Sequence, residues 1–261
     1  MHTLIKLGGS LITDKRVENS FNADIMTHLA HEIAQAQKIA PKSLIIGHGS
    51  GSFGHFAAHR HGTMKGVSTP ENWLGYADVA RVAGMLNNLV MEKLIDAGLP
   101  ILKLQPSASA LCHDGELVQM ALQPLEVALK NGLIPLVYGD VSLDDVRGGT
   151  IISTETIMTY LAKNLPVNRV LLLGEVEGVL DGDGNVISRI TPNTLAQYQS
   201  ALGGSYGTDV TGGMFAKVRD MVELVKIRPH LSIRIMNGQV PNRLLSVLTE
   251  NLETGTLITN D

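Results

Sequence analysis

The chain has little cysteine, few aromatic residues and no long hydrophobic run. Its 261 residues include one cysteine, Cys112, which excludes an intrachain disulfide framework and a zinc site built from several cysteines. Aromatic residues make up 4% of the sequence, too few to favour a surface on which nucleic acid bases stack. Apolar stretches stay well short of the ~20 residues that cross a bilayer, so we expect no membrane association.

Positive charge is not in excess either. Lysine and arginine number 21, aspartate and glutamate number 25, and the net charge is −4. This balance provides no basic footprint for nucleic acid, and we expect no nucleic acid partner. The N-terminus lacks the basic head and long apolar core of a signal peptide, which favours a cytoplasmic location.

Short apolar runs alternate with helical patterns along the chain. The runs cover residues 3–7, 43–46, 100–104, 133–137, 169–173 and 232–236. Apolar residues recur at helical spacing over 26–36, 79–94 and 214–225. Such alternation is typical of an α/β fold. We therefore predict a three-layer αβα sandwich with a mostly parallel central sheet.

Turn signals interrupt this alternation twice. They lie in 111–120 and 178–190 and predict two short antiparallel hairpins. Residues 143–149 have a loop-like composition. We interpret the chain as a single domain, 1–261, with an N-terminal lobe of about 1–145 and a C-terminal lobe of about 146–261.

Glycines follow four of the predicted strands, at 8–9, 47–54, 139 and 212–213. Backbone N–H groups in such loops, and the helix N-termini beyond them, bind phosphate groups. The sequence has no Walker A pattern. The G-x-G-x-x-G spacing at 49–54 follows the second strand rather than the first, which disfavours the alternative of a dinucleotide site. The loops therefore predict a site for phosphate groups of another kind.

Three lysines and one histidine accompany these loops. Lys6 lies at the first strand–glycine junction, where an anionic ligand would offset the cost of burying its charge. Lys15 follows in a polar loop, and Lys217 lies near the start of the helix opened by the last glycine pair. His55 closes the second loop, where its ring can donate a hydrogen bond to a phosphate. Its spacing to His59 also fits a metal site, but no third ligand is evident and metal ligands stay unassigned.

These motifs resemble those of the amino acid kinase superfamily over essentially the full length of the chain. The resemblance rests on residues 5–10, the second glycine loop, 139–141, and 209–214 together with Lys217. Within the superfamily the chain is most similar to the isopentenyl phosphate kinases, because its second loop ends in Gly54-His55. Residues 153–156 and 174–178 depart from the family pattern, which usually reads Ser-Gly-Asp-Asp at the first of these segments.

The resemblance implies direct, in-line transfer of the γ-phosphoryl group of ATP, with Mg²⁺, to isopentenyl phosphate, a mevalonate-pathway reaction of isoprenoid biosynthesis. The N-terminal lobe would bind the acceptor and the C-terminal lobe the nucleotide, and a homodimer is implied as well. The implied catalytic residues are Lys6, Lys15, His55 and Lys217. The implied ATP contacts are Lys6, Gly8, Gly9, Ser10, Gly51, Glu175, Asp181, Gly213 and Lys217. The implied contacts of the acceptor phosphate are Gly49, Ser50, Gly54, His55 and Gly139.

The five-carbon tail of such an acceptor needs an apolar pocket. The helical pattern that follows the second loop carries more apolar side chains than one core stripe requires, and we expect it to supply the pocket wall. The candidate residues are Tyr76, Val79, Val82, Ala83, Met85 and Leu86. Packing in the core is the alternative for each of them.

Other functions stay open on the sequence. A fosfomycin kinase shares the loop that ends in histidine, and a nucleoside monophosphate kinase shares the fold, so the acceptor is the open question within the enzymes. A non-catalytic nucleotide-binding regulatory or storage protein is an alternative of a different class. It would not require Lys6, Lys15 and Lys217 together, which favours a kinase.

Overall fold

The computed structural model describes residues 1–199, 213–250 and 252–261. Its strands are β1 (His2–Leu7), β2 (Ser43–His48), β3 (Ile101–Lys103), β4 (Leu111–His113), β5 (Glu116–Gln119), β6 (Ile134–Tyr138), β7 (Asp140–Asp144), β8 (Gly148–Ile152), β9 (Val167–Gly174), β10 (Arg189–Ile190), β11 (Ser232–Asn237) and β12 (Thr256–Ile258). Eight of them form a central sheet of order β10-β12-β11-β9-β1-β2-β6-β3. Within it only the pair β11–β12 is antiparallel among the described strands, so the predicted mostly parallel sheet is confirmed.

Helices cover both faces of this sheet. They are α1 (Gly9–Ile12), α2 (Ala23–Ile39), α3 (Gly51–His61), α4 (Pro70–Asp96), α5 (Gln123–Lys130), α6 (Thr154–Asn164), α7 (Gly213–Ile227) and α8 (Arg243–Thr249). Ile5 and Leu7 of β1 are buried in a cluster with residues of α2, α4 and α8. Leu4, on the opposite face of the strand, is buried with residues of α6 and α7. This is the predicted αβα sandwich. Within the described ranges, no helix has both the length and the apolar character needed to cross a bilayer.

Four further strands form a second sheet of order β5-β4-β7-β8. Its β4 and β5 pair antiparallel and confirm the hairpin predicted at 111–120. At 178–190, Leu180 and Val186 form an antiparallel bridge around the predicted turn. The second sheet contacts α4 through β7. Because β7 begins directly after Gly139, whose N–H donates to the carbonyl of His48 at 3.3 Å, this end of the sheet lies close to the second glycine loop.

The loop expected at 143–149 is shorter than predicted and covers only the turn at 145–147. These residues belong to the antiparallel hairpin of β7 and β8. The buried Asp144 carboxylate explains the difference, because it accepts the N–H groups of Val146 and Arg147 at 2.9 and 2.7 Å and fixes the turn. It also accepts the N–H of Gly115 at 2.7 Å, from the neighbouring hairpin. The proposed division into lobes at this point stays a prediction.

The short helix α8 is capped by a glutamate from α2. Asn242 precedes α8 with a positive φ of 63° and provides no side-chain cap. The buried Glu32 carboxylate instead accepts the N–H groups of Asn242 at 2.8 Å and Leu245 at 3.0 Å. A carboxylate is also favoured electrostatically at a helix N-terminus. Glu32 therefore links α8 to α2, and the two helices cover the same face of the central sheet.

We expect Glu32→Ala to lower the free energy of unfolding by about 2 kcal/mol, because hydrogen bonds to a charged group are lost and backbone donors lose their acceptor. Urea denaturation measures the change. Glu92→Ala, at an exposed position of α4, is the control. Equal effects of the two variants would contradict the capping role.

Candidate active site

The first two glycine loops face each other across adjacent strands. β1 and β2 are parallel neighbours in which Lys6 pairs with Gly47 and Leu7 with His48, so the loops after them leave the same edge of the sheet. A β-carbon on Gly9 would lie 2.7 Å from the backbone nitrogen of Gly51. These two loops are therefore in backbone contact, which only residues without side chains allow at this distance.

Position 51 requires glycine also because of its backbone conformation and its contact with Thr13. Its φ is +49°, in the left-handed region that favours glycine. A β-carbon there would lie 2.3 Å from Oγ1 of Thr13. The third loop joins the same edge, since the N–H of Gly139 donates to the carbonyl of His48 at 3.3 Å. The backbone thus brings three of the four predicted glycine segments together.

Lys6 forms an ion pair with Glu155 in the first turn of α6. The distance from Nζ to Oε1 is 2.8 Å, and the Lys6 side chain is 12% exposed. Burial raises the pKa of Glu155, but Lys6 and Lys217 outweigh burial and hold the pKa below its ordinary value. Ser153 caps the helix by accepting the N–H of Thr156 at 3.0 Å. The segment 153–156, which departs from the family pattern, therefore supplies the partner of a predicted catalytic lysine.

The three predicted catalytic lysines all lie close enough to His55 for their charges to act on its ring. His55 lies one turn into α3, and desolvation lowers its pKa. Lys15, Lys217 and Lys6 lower this pKa further, while Glu155 opposes them. Lys15, Lys217 and His55 are exposed to solvent, so ligands can reach them. These residues form a cationic cleft. The ring of His55 lies there, at the end of the second glycine loop, and can form a hydrogen bond with a ligand.

A sequence profile of the amino acid kinase family matches residues 1–237. The chain belongs to the amino acid kinase family. It is 32% identical over 262 residues to the isopentenyl phosphate kinase of Methanocaldococcus jannaschii, covering 97% of each chain. It is 38% identical over 226 residues to that of Haloferax volcanii, covering 85% of this chain and 87% of the relative. An X-ray structure of isopentenyl phosphate kinase matches with a TM-score of 0.84 and 28% identity, over 99% of this chain and 100% of the other.

The residues predicted to contact ATP are described in part. Ser10, Lys15 and Glu175 line a groove of about 710 Å³ that runs beside the first loop. Asp181 lies in an exposed turn, where its carboxylate accepts the N–H groups of Asp183 and Asn185 at 2.9 Å each. Its carboxylate is thus engaged within its own turn. The predicted motif at 209–212 lies outside the described residues, whereas α7 begins at Gly213 and carries Lys217.

The candidate pocket residues on α4 divide into two groups. Val79, Val82 and Leu86 are buried in the core cluster, as the alternative of core packing anticipated. Ala83 is also buried, while Met85 is exposed and its sulfur contacts Arg81.

Tyr76 occupies a different position from these residues. Its ring lies beside Gly149 of β8, where a β-carbon would come within 2.9 Å of it. Trp73 packs edge-on against the same ring, at a centroid distance of 5.4 Å. Burial, with the carboxylate of Asp140 and with Cys112, raises the pKa of Tyr76 to about 12. Of the candidates, Tyr76 is thus the one placed between α4 and the second sheet.

Sequence reasoning missed a buried histidine behind the second loop. His48 is fully buried, and its ring stacks on Tyr138 at 5.7 Å with an interplanar angle of 6°. Burial lowers its pKa to about 4, so the ring is neutral. Its Nδ1 donates to the carbonyl of Gly49 at 3.0 Å, and its Nε2 accepts from the Asn87 side chain at 2.9 Å. No sequence signal links residues 39 positions apart in this way.

We expect Lys15→Met to raise the pKa of His55 and Glu155→Gln to lower it, because each removes a charge that acts on the ring. Histidine-ring NMR titration measures both shifts without any substrate. Lys103→Met, on the edge strand β3, is the control and should leave the His55 pKa in place. An unchanged pKa in both site variants would show that these charges do not face His55.

Proposed function

We propose that this kinase transfers the γ-phosphoryl group of ATP to isopentenyl phosphate and forms isopentenyl diphosphate. The observation that carries the proposal is His55 at the mouth of the second glycine loop, within electrostatic range of Lys6, Lys15 and Lys217. The near-full-length similarity to isopentenyl phosphate kinases supports the choice of acceptor. Phosphoryl transfer consists mostly of positioning and charge stabilisation, and this site offers both.

ATP lies along the first loop in this proposal. The backbone N–H groups of Gly9 and Ser10 face its phosphates, while Lys6 and Lys217 stabilise their charge. The N–H of Gly8 donates to the carbonyl of Leu173 at 2.8 Å, so Gly8 contributes close approach to the nucleotide rather than a hydrogen bond. Further ATP contacts are assigned to Gly51, Glu175, Asp181 and Gly213. Glu155 keeps Lys6 oriented through the 2.8 Å ion pair.

The acceptor phosphate binds in the second loop in this proposal. Gly49, Ser50, Gly54 and Gly139 surround it, and His55 donates a hydrogen bond to one of its oxygens. Because the pKa of His55 lies below its ordinary value in the free enzyme, the ring is a neutral donor before the phosphate binds, and the charge of the bound phosphate then favours the protonated ring. A phosphate monoester is already ionised near neutral pH, so the reaction needs no general base. An oxygen of this phosphate attacks the γ-phosphorus as the bond to the leaving ADP breaks, and Lys15 stabilises the charge that develops.

Mg²⁺ belongs to the proposal as the cation bound by the ATP phosphates. Among the residues that the structure describes, no three His, Cys, Asp or Glu side chains come together as metal ligands. This fits a cation held mainly by nucleotide phosphates and water, as is usual for Mg²⁺. It would neutralise part of the triphosphate charge, and none of the roles assigned to side chains depends on it. A homodimer, a cytoplasmic location and a place in the mevalonate pathway are likewise proposals.

An assay of ADP release tests the acceptor. We expect turnover with isopentenyl phosphate, and a loss of about 100-fold in kcat/KM for His55→Ala, because a hydrogen-bond donor aimed at a reacting phosphate is removed. His59→Ala, an exposed histidine on the same helix, is the matched control. Turnover only with fosfomycin or a nucleoside monophosphate would move the function to a sister kinase. Binding of ATP without turnover on any acceptor would favour the regulatory protein.

The position of Tyr76 allows a test of the pocket. We expect Tyr76→Ala to improve kcat/KM for longer prenyl phosphates relative to isopentenyl phosphate, because it opens space between α4 and β8. Met85→Ala, on the exposed face of α4, should leave the preference unchanged. The pocket assignment is wrong if the two variants have the same chain-length profile.

A further inference from the structure

The loop that carries Lys15 is closed on itself by one serine. The N–H of Asp14 donates to Oγ of Ser20 at 2.8 Å, and this Oγ donates to the carbonyl of Asp14 at 2.9 Å. Residues 14 and 20 are thus joined at the base of the loop. Lys15 directly follows Asp14 and therefore lies beside this closure. Its side chain is exposed, and its charge lowers the pKa of His55.

A buried serine of α3 fastens the closed loop. The N–H of Ser20 donates to Oγ of Ser52 at 3.1 Å, and the carbonyl of Ser20 lies 3.3 Å from the same atom. Ser52 is 1% exposed, so these bonds are shielded from water. It lies three residues before His55 on the same helix, and therefore on the same side. Ser52 links Lys15 to the element that carries His55.

A buried threonine completes the connection to the first loop. Oγ1 of Thr13 donates to the carbonyl of Gly9 at 2.7 Å and accepts the N–H of Ser52 at 2.9 Å. Thr13 is 3% exposed. One chain of hydrogen bonds therefore runs from Gly9 through Thr13, Ser52 and Ser20 to the base of the Lys15 loop.

We propose that Thr13 and Ser52 are positioning residues, whose buried hydroxyl groups hold Lys15 at a fixed place relative to the two phosphate-binding loops. The inference rests on the function proposed above, in which Lys15 acts on the group in transfer. A shift of about 1 Å in such a group costs up to 100-fold in rate. The outer end of the same loop is tied by an ion pair between Glu18 and Arg60, but both are exposed, and exposed pairs contribute little.

The first test follows Lys15 through the pKa of His55, without any acceptor. If Ser52 holds Lys15 in place, Ser52→Ala raises the His55 pKa in an NMR titration, as Lys15→Met does. In the Lys15→Met background, Ser52→Ala then causes no further rise. Equal shifts in both backgrounds would mean that Ser52 acts on His55 without Lys15 and would overturn the proposal. Ser20→Ala removes the hydroxyl that joins Ser20 to Asp14, the next link of the same chain, and gives the answer if Ser52→Ala does not fold.

The second test is a double-mutant cycle on kcat. We expect Ser52→Ala and Thr13→Val to lower kcat by about 10- to 100-fold with little change in the KM for ATP, and Thr13→Ser to restore it. The loss should fall below about twofold in the Lys15→Met background, since coupled residues are not additive. Arg60→Ala, which releases the exposed ion pairs of Arg60 with Glu18 and Asp78 and keeps the buried hydroxyl groups, is the control.

The outcomes separate this proposal from the proposed function. An additive cycle would show that the two hydroxyl groups act on kcat independently of Lys15 and would overturn the proposal. A chain that turns over another acceptor would remove the proposed substrate, yet the cycle measured on that acceptor would still test the positioning. If no acceptor is turned over, the NMR titration of His55 alone tests whether Ser52 positions Lys15.

Discussion

The backbone contact between the two glycine loops is the constraint on which the rest of the site depends. Parallel pairing of β1 with β2 brings the loops to one edge, and the absence of side chains at Gly9 and Gly49 lets them touch. The backbone contact therefore sets the distance between the two loops. The helices that follow, α1 and α3, inherit this spacing, and with it the distance between a donor phosphate on the first loop and an acceptor phosphate on the second.

The charged side chains around the contact between the two loops are mostly positive. Three lysines, from β1, the 14–20 loop and α7, act on His55 together with the carboxylate of Glu155, which pairs with the buried Lys6. One carboxylate offsets the cost of burying Lys6 but leaves a positive surplus for incoming anions. Glu155 also explains how the segment 153–156 can depart from the family pattern. The ion pair with Lys6 needs a carboxylate in this turn of α6, and other residues of the segment can differ.

Much of the fold and part of the site could be predicted from sequence, for reasons that particular residues show. The buried strands are short apolar runs, and the glycine loops at their ends pointed directly to Lys6 and His55. Contacts between distant segments could not be predicted. The hairpin at 143–149 depends on Asp144, whose third partner is 29 residues away. The bond between His48 and Asn87 likewise joins β2 to the middle of α4, and no local pattern encodes it.

The second loop has a histidine at each end, and the two have different roles. His48 supports the loop from within the core, and His55, in the proposed function, faces the ligand. His48 must stay neutral, because its Nε2 can accept from Asn87 only without a proton there, and burial with a pKa of about 4 ensures this. Desolvation and, after it, the three lysines lower the pKa of His55 as well, but this ring lies at a surface open to ligands. A bound phosphate dianion reverses that effect, because its charge favours the protonated ring. Between these two residues, any pH dependence of acceptor binding near neutrality therefore arises at His55, while the loop behind it keeps its shape.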